Sequence, residues 1–330
     1  MSETPETTES TETTAEATKR VFVTGGSGFV GRWVVRELLA NGYDVTCLVR
    51  DRDKLLRQLT DAQKPRVRCV LGDLFDSDAI NRAAEGCDAA IHLVGIIEEN
   101  AFEGQTFSRV HVEATRNVLI ACESAGVGRY VHMSALGTRA NAVSKYHQTK
   151  WFAEELVRQS KMAWTIFRPS LIHGPDGEFM QMMKFFSTSN VLQPVMPYFG
   201  SGENLIQPIH VRDVAACFVK SLSMPETERQ VYELGGPDQL SWKELYDVCA
   251  EEIRGRRRLK VSVPVPIAKL VARTVMPLAP SFLVPYKFNV GQVQMSQEDS
   301  VCDISPIEQT FDLKLRSFRE TLSQYAEQIA

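Results

Sequence analysis

Val21-Phe-Val-Thr-Gly-Gly-Ser-Gly-Phe-Val-Gly31 is the stretch on which the fold turns. Ahead of the glycines, residues 20–23 (RVFV) have the β-branched and aromatic content of a strand. Behind them, Val30, Val34, Val35, Leu38 and Leu39 recur at helical spacing, and Asn41-Gly42 supplies a natural stop. Two glycine spacings overlap: GxGxxG through Gly26, Gly28 and Gly31, and GxxGxxG through Gly25, Gly28 and Gly31. Positions without a side chain let the backbone turn tightly and approach a pyrophosphate. The helix that follows offers free N–H groups and a positive dipole end to the same anion. Gly25, Ser27, Gly28, Phe29, Val30 and Gly31 are therefore expected to hold a dinucleotide; a tight turn with no ligand is the bland alternative.

Working outward, strand-like runs recur at 45–49 (VTCLV), 67–71 (VRCVL), 89–94 (AAIHLV), 130–133 (YVHM) and 164–167 (WTIF). Helical patterns lie between them at about 77–85, 106–125 and 144–160. Strands alternating with helices imply right-handed crossovers, and near-continuous apolar strands imply a sheet covered on both faces. The expectation is an α/β fold: a Rossmann-type doubly wound parallel sheet over residues 19–170, with a smaller C-terminal α/β part over 171–330 that is interleaved with it and selects the substrate. Residues 174–204 read as loop-rich, followed by a strand at 205–209, a helix from Val211, a strand at 231–234, a helix from Trp242 and a last helix from about Ser317.

The end of the second strand bears on cofactor choice. An acid there accepts a bond from the ribose 2′-hydroxyl, whereas an arginine favours a 2′-phosphate. The strand ends in Arg50, which favours NADP(H); Asp51 and Asp53 keep NAD(H) open, and a solvated surface arginine is the plain alternative. A second chemical signal is Ser144-Lys-Tyr-His-Gln-Thr-Lys150. Tyr146 and Lys150 stand four apart on one helical face. A phenol beside an ammonium and an oxidised nicotinamide ionises more readily and serves as acid/base next to a hydride transfer. Taken alone the spacing is common; its place after the fifth strand gives it weight.

Composition narrows the classes. The chain has 330 residues, 44% hydrophobic and 24% charged, as in globular proteins. Residues 1–18 carry five of the 41 acidic side chains and no Lys or Arg, and they read as a disordered acidic tail. The remainder is close to neutral, which gives no reason to expect nucleic acid. No apolar run is long enough to span a bilayer, and the start is neither a secretory nor a mitochondrial signal, so a cytoplasmic location is expected. Seven cysteines with no CxxC read as free thiols, mostly buried, and no Cys/His spacing suggests a metal site. A small-molecule substrate is expected, with an oligomeric or complex partner left open. Met180, Met182, Met183, Phe185 and Phe186 read equally as core or as a pocket wall. Arg254, Arg256, Arg257, Arg258 and Lys260 read as a solvated helix end, or as a contact for phosphate, anionic lipid or nucleic acid, the one feature on which a nucleic-acid reading could rest. Residues 264–286 read as core or subunit packing, or as a peripheral contact with the inner membrane.

These pieces together resemble the atypical extended short-chain dehydrogenase/reductases of the NAD-dependent epimerase/dehydratase superfamily. The matching stretches are TGGSGFVG at 24–31, GDL at 72–74, HLVG at 92–95, YHQTK at 146–150, RPSLIHGP at 168–175 and PIHVRDVA at 208–215. The run at 111–137 is most similar to the branch that contains the nucleotide-binding accessory subunit of mitochondrial complex I. The resemblance implies that Asp73 and Leu74 meet the adenine, that Leu93, Val94 and Gly95 line the pyrophosphate–ribose path, and that Pro169 and Ile172 lie beside the nicotinamide. It implies catalysis by Tyr146 and Lys150 with a serine after the fifth strand. Ser134 is the nearest candidate but aligns one place early, leaving Ala135 in the catalytic slot, and His111 stands where the family has an asparagine. Two functions follow: a hydride-transferring oxidoreductase or epimerase acting on a nucleotide sugar or an apolar, quinone-like carbonyl, or a non-catalytic NADP(H)-holding accessory or sensing subunit.

Overall fold

A computed structural model describes residues 19–100, 103–188, 195–280 and 284–329; the acidic tail 1–18, expected to be disordered, lies outside the described residues. The first half alternates as its sequence predicts, with one short helix, α2, that was not expected: β1 (Arg20–Thr24), α1 (Phe29–Ala40), β2 (Asp44–Val49), α2 (Arg52–Leu56), β3 (Val67–Leu71), α3 (Ser77–Ala84), β4 (Ala89–His92), α4 (Ala114–Ser124), β5 (Arg129–Met133), α5 (Lys145–Gln159) and β6 (Ala163–Pro169). These six strands are parallel, in the order 3-2-1-4-5-6. The order reverses between β1 and β4, and the crevice at that reversal is where a sheet of this kind takes its ligand. The strands are apolar throughout because both faces are covered: Val21, Val23 and Ile91 look into one core with Val34, Val35 and Leu38 of α1, while Phe22 and Ala90 look into the other with Ile80 and Val118.

The second half differs from the expectation in several places. It begins with β7 (Ile172–His173), α6 (Glu178–Thr188), β8 (Met196–Phe199), β9 (Leu205–Ile206), β10 (Ile209–His210), α7 (Val211–Lys220) and β11 (Gln230–Leu234). The strand at 231–234, assigned above to the smaller part, is instead β11, the seventh parallel strand of the main sheet, paired with β6 from Gln230↔Thr165 to Leu234↔Pro169. Helix α7 lies along α1 and places Val214, Ala215 and Phe218 in the same core as Val34 and Leu38. Residues 174–204 are not simply loop, since they carry α6 and β8. The expected strand at 205–209 is two short pairings, β9 with β12 and β10 with β7.

The chain continues through β12 (Leu240–Ser241), α8 (Trp242–Arg254), β13 (Lys260–Val263), α9 (Val265–Thr274), α10 (Val290–Met295), α11 (Ser305–Phe311) and α12 (Phe318–Ile329). Helices α6, α8 and α12 enclose a third core in which Met180 and Met183 are fully buried beside Leu245, Phe318 and Leu322. Those two methionines are therefore core. The basic run after α8 is largely structural: Gly255 closes the helix at φ +76°, Arg258 bonds the Ser187 carbonyl at 2.7 Å, and Arg257 and Lys260 pair with Asp247.

Candidate functional site

The glycine turn has the shape its sequence requires. Gly25 sits at φ +77°, and its carbonyl accepts a bond from the Gly28 amide at 3.0 Å. A Cβ on Gly31 would stand 2.0 Å from the Gly25 carbonyl oxygen, so only glycine lets α1 start this close to the turn. Gly28 caps α1 without any side-chain bond, and the first turn of α1 holds no acid. By contrast α2, α3, α5, α8 and α10 are each capped by an Asp, Ser or Asn side chain, although α4, α9 and α11 share the lack of a side-chain cap. An uncapped helix start beside side-chain-free backbone suits a diphosphate. Ser27 lends its carbonyl to Gln58 at 3.4 Å, Val30 is buried, and the Phe29 ring lies against Gly174 and Gly177.

The other sequence-predicted residues fall around this turn. Leu93 and Val94 leave β4 and cross directly beside Gly25, where a Cβ would meet Val94 at 3.2 Å. Gly95 continues the path next to Lys150, whose Nζ would stand 2.9 Å from a Cβ there. Asp73 is exposed and accepts from the amides of Phe75 and Asp76, while the Leu74 carbonyl accepts from Asn117 at 2.9 Å. Arg50 is exposed at the end of β2. Its neighbour Asp51 is engaged in capping α2, accepting from the Lys54 amide at 3.0 Å.

A cleft of about 170 Å³ gathers the rest: Gly95, Ile96, Ile97, Met133, Ser134, Ala135, Tyr146, Lys150, Pro169, Ser170 and Ile172. Helix α5 places Tyr146 and Lys150 on this cleft because Ser144 caps its start, accepting from the His147 amide. Lys150 is 2% exposed, and its Nζ donates to the Met133 carbonyl at 3.0 Å. Burial pushes its ammonium down to about 8, opposed by the carboxylate of Glu154 one turn on. Burial likewise pushes the Tyr146 hydroxyl up to about 12. Ser134 borders the cleft, but its hydroxyl lies 3.3 Å from that of Thr138 in a buried pair. Ser170 Oγ is shared with Ser300 at 3.1 Å.

Three features were not legible in the sequence. Residues Ser108–Glu113, inside the helix expected at 106–125, are wound as a π-turn. Its extra residue directs His111 between the Ile96 backbone, at 3.1–3.2 Å, and Thr149 Oγ1, at 2.8 Å, with the ring edge-on to Tyr146. Burial depresses His111 to about 2 and His92 to about 3, so both are neutral struts. Glu154, fully buried, clasps Arg168 bidentately and also Arg158, fixing α5 to β6 beneath Lys150. The i,i+4 spacing of Glu154 and Arg158 is the one local signal of this cluster, and nothing in the spacing points to Arg168 as its third member. Among the described residues no group of three His, Cys, Asp or Glu is placed to hold a metal ion.

Against known proteins, residues 21–235 match the model of the NAD dependent epimerase/dehydratase family. The chain is similar to the mitochondrial NADH dehydrogenase (ubiquinone) 1 alpha subcomplex subunit 9 of Arabidopsis thaliana, at 29% identity over 92% of this chain and 77% of that one. It is similar to a ceramide reductase of Caulobacter vibrioides, at 32% identity over 72% of each. Among solved structures, the dTDP-glucose 4,6-dehydratase DesIV of Streptomyces venezuelae, with NAD and TYD bound, shares the fold at 22% identity and a TM-score of 0.71, over 93% of this chain and 96% of that one.

Proposed function

The chain belongs to the NAD-dependent epimerase/dehydratase family, and from that premise we propose that it is an NADP(H)-dependent oxidoreductase for an apolar carbonyl. The observation that carries this reading is the convergence of Tyr146 and desolvated Lys150 on the cleft that also holds Gly95, Pro169 and Ile172. The turn Gly25–Gly31 would hold the diphosphate, with Asp73 and Leu74 at the adenine, Leu93 and Val94 along the path, and Lys150 at the nicotinamide ribose. Bound there, the cofactor supplies or takes the hydride. Tyr146 gives its hydroxyl proton to the substrate oxygen, and the adjacent ammonium of Lys150 stabilises the phenolate left behind. Met133 and Glu154 hold that ammonium in place and charged.

Two finer points follow. Asp51 is engaged as a helix cap, while Arg50 stands free of ion pairs among the described residues, which supports the 2′-phosphate of NADP(H) over the hydroxyl of NAD(H). The cleft walls Ile96, Ile97, Met133, Ala135, Pro169 and Ile172 are apolar, and Lys150 is the one cation among its lining residues. A nucleotide sugar carries a diphosphate that calls for more cations, so an apolar ketone or aldehyde fits better. Arg50→Ala is expected to weaken NADPH binding about tenfold and leave NADH within about twofold. Calorimetry with both nucleotides checks this, and equal loss for the two would remove the 2′-phosphate assignment.

One observation favours a second reading, a cofactor-holding subunit without turnover, as the similarity to a respiratory-complex subunit suggests. The catalytic slot holds Ala135 in place of the serine that would polarise a substrate oxygen, and the two serines on the cleft are engaged, Ser134 donating to Thr138 and Ser170 bonded to Ser300. The deciding experiment follows NADPH oxidation with long-chain ketones and aldehydes in the wild type and Tyr146→Phe. Turnover that falls about a hundredfold or more in Tyr146→Phe, with nucleotide affinity retained, supports the oxidoreductase. Tight nucleotide binding with no turnover supports the holding subunit.

A further inference from the structure

Residues 253–297 hold eight Lys or Arg and no Asp or Glu, in a chain whose net charge is −4. The same stretch holds six of the eleven large apolar side chains exposed among the described residues: Leu259, Val261, Ile267, Leu270, Val275 and Leu278. Helix α9 lies at its centre and is built inside out. The face it turns to the protein carries only Ala268 and Ala272 as buried residues. Its two bulkiest apolar side chains look outward, Ile267 53% and Leu270 61% exposed, while Val265 and Val271 are half-buried, and the turn after it adds Leu278 at 84%. A helix that serves a globular core places its bulky residues inward. The sequence reading of 264–286 as core therefore does not describe this face.

The charge around the face says what covers it. Lys269 and Arg273 flank Leu270 on α9, and Arg256, Lys269, Arg273 and Lys287 make no ion pair among the described residues. Protein interfaces are depleted of lysine and balance their charges. An apolar helix face bordered by basic side chains is the pattern of a helix lying in the headgroup region of an anionic bilayer. No helix among the described residues is long and apolar enough to cross a membrane, so the contact is with its surface.

We propose that α9 and the turn after it form a docking face for an anionic phospholipid bilayer, with Ile267, Leu270, Val275 and Leu278 inserted among the lipids and Lys269 and Arg273 on the headgroups. The face lies one short helix from the cleft: α10 packs on α9, and its cap Asn289 donates to the carbonyl of Ile97, a cleft-lining residue, at 3.0 Å. The proposal stands on this surface and not on turnover in the cleft.

The test is flotation of the full chain with vesicles of phosphatidylcholine alone or with about one-quarter phosphatidylglycerol. Binding is expected to be about tenfold stronger to the anionic vesicles and to weaken as salt rises from about 0.05 to about 0.5 M. Leu270→Glu and Leu278→Glu are each expected to lower it about tenfold, and the double variant Lys269→Glu/Arg273→Glu to abolish the preference for phosphatidylglycerol. A thermal melt monitors folding; should a Glu variant unfold, Leu278→Ser and the salt titration of the wild type decide the matter. Absence of flotation with either vesicle overturns the proposal. So does flotation unchanged by the variants, or a dimer in solution that Leu270→Glu dissociates while no vesicle is bound, which would assign the face to a second copy of this chain.

Discussion

Lys150 is the residue at which burial and function conflict most openly. It is 2% exposed, and its ammonium is held down to about 8 from an ordinary 10.5. The sign is fixed by linkage. Between about 8 and 10.5 the unfolded chain binds more protons than the folded one, so stability rises with pH across that window. Below it, the full cost of burying the charge weighs on the fold. At about 1.4 kcal/mol per pH unit that cost is roughly 3 kcal/mol, offset by about 1 kcal/mol for the bond to the Met133 carbonyl. Lys150→Met is therefore expected to stabilise the cofactor-free protein by roughly 2 kcal/mol at neutral pH while removing activity, with the gain shrinking at about pH 9.5. Urea unfolding at the two pH values measures it, and a less stable Met variant at neutral pH would show that Lys150 is structural. At this scale the sequence was informative about which side chains share a face and silent about what they bond. Tyr146 and Lys150 are paired by helical spacing alone, whereas the bond that turns Ser134 to Thr138 depends on how the chain bends after β5.

The turn between β1 and α1 is the element on which cofactor binding depends, and its tolerance is narrow. A Cβ at Gly31 would lie 2.0 Å from the Gly25 carbonyl oxygen and 2.7 Å from Gly26 Cα, so backbone has to move. Gly31→Ala is expected to cost about 2–3 kcal/mol in stability and to lower nucleotide affinity by more than about tenfold. Thermal melting with and without NADPH reads both, and an alanine variant that is stabilised by nucleotide as the wild type is would exclude the turn as the diphosphate cradle. Elements of this kind were readable because their constraint is local. Strands β1–β6 are buried on both faces and so appear as apolar runs, and the glycines mark the one place where the backbone must turn back sharply. Other elements were hidden. Gly174, Pro175 and Gly177 made the following stretch look like loop, yet Met180, Met183 and Ser187 line the buried face of α6. The π-turn at Ser108–Glu113 inserts a residue to fit His111 against Ile96 and Thr149, which is a tertiary demand with no local code.

On the scale of the whole molecule, the second half of the chain completes the first. β11 covers the outer edge of β6, α7 covers α1, and Ile307 and Phe311 of α11 reach the same core. Arg129, at the start of β5, is buried with no ion pair among the described residues; beside Ala163 and Thr165 of the neighbouring β6 it bonds the Ser221 carbonyl at 2.9 Å and Thr227 Oγ1 at 2.8 Å, both from the second half. A chain cut after residue 170 would expose the edge of β6 and the apolar face of α1, and would take from a buried cation its acceptors on Ser221 and Thr227, leaving it those on Ala163 and Thr165. Each of those costs is of the order of the whole stability of a domain or a sizeable fraction of it. Residues 19–170 expressed alone are therefore expected to lack a cooperative melt, to bind a hydrophobic dye and to bind no NADPH, although they contain the entire glycine turn and the Tyr146–Lys150 pair. Near-ultraviolet circular dichroism and calorimetry of the fragment carry the test. A sharp transition with nucleotide bound would mean that the sheet closes with six strands, and that β11 and α7 are additions to a domain already complete. The sequence could not decide this, because the partners of β6 and α1 lie some 60 to 180 residues downstream, where neither strand propensity nor helical period says which edge or face they will meet.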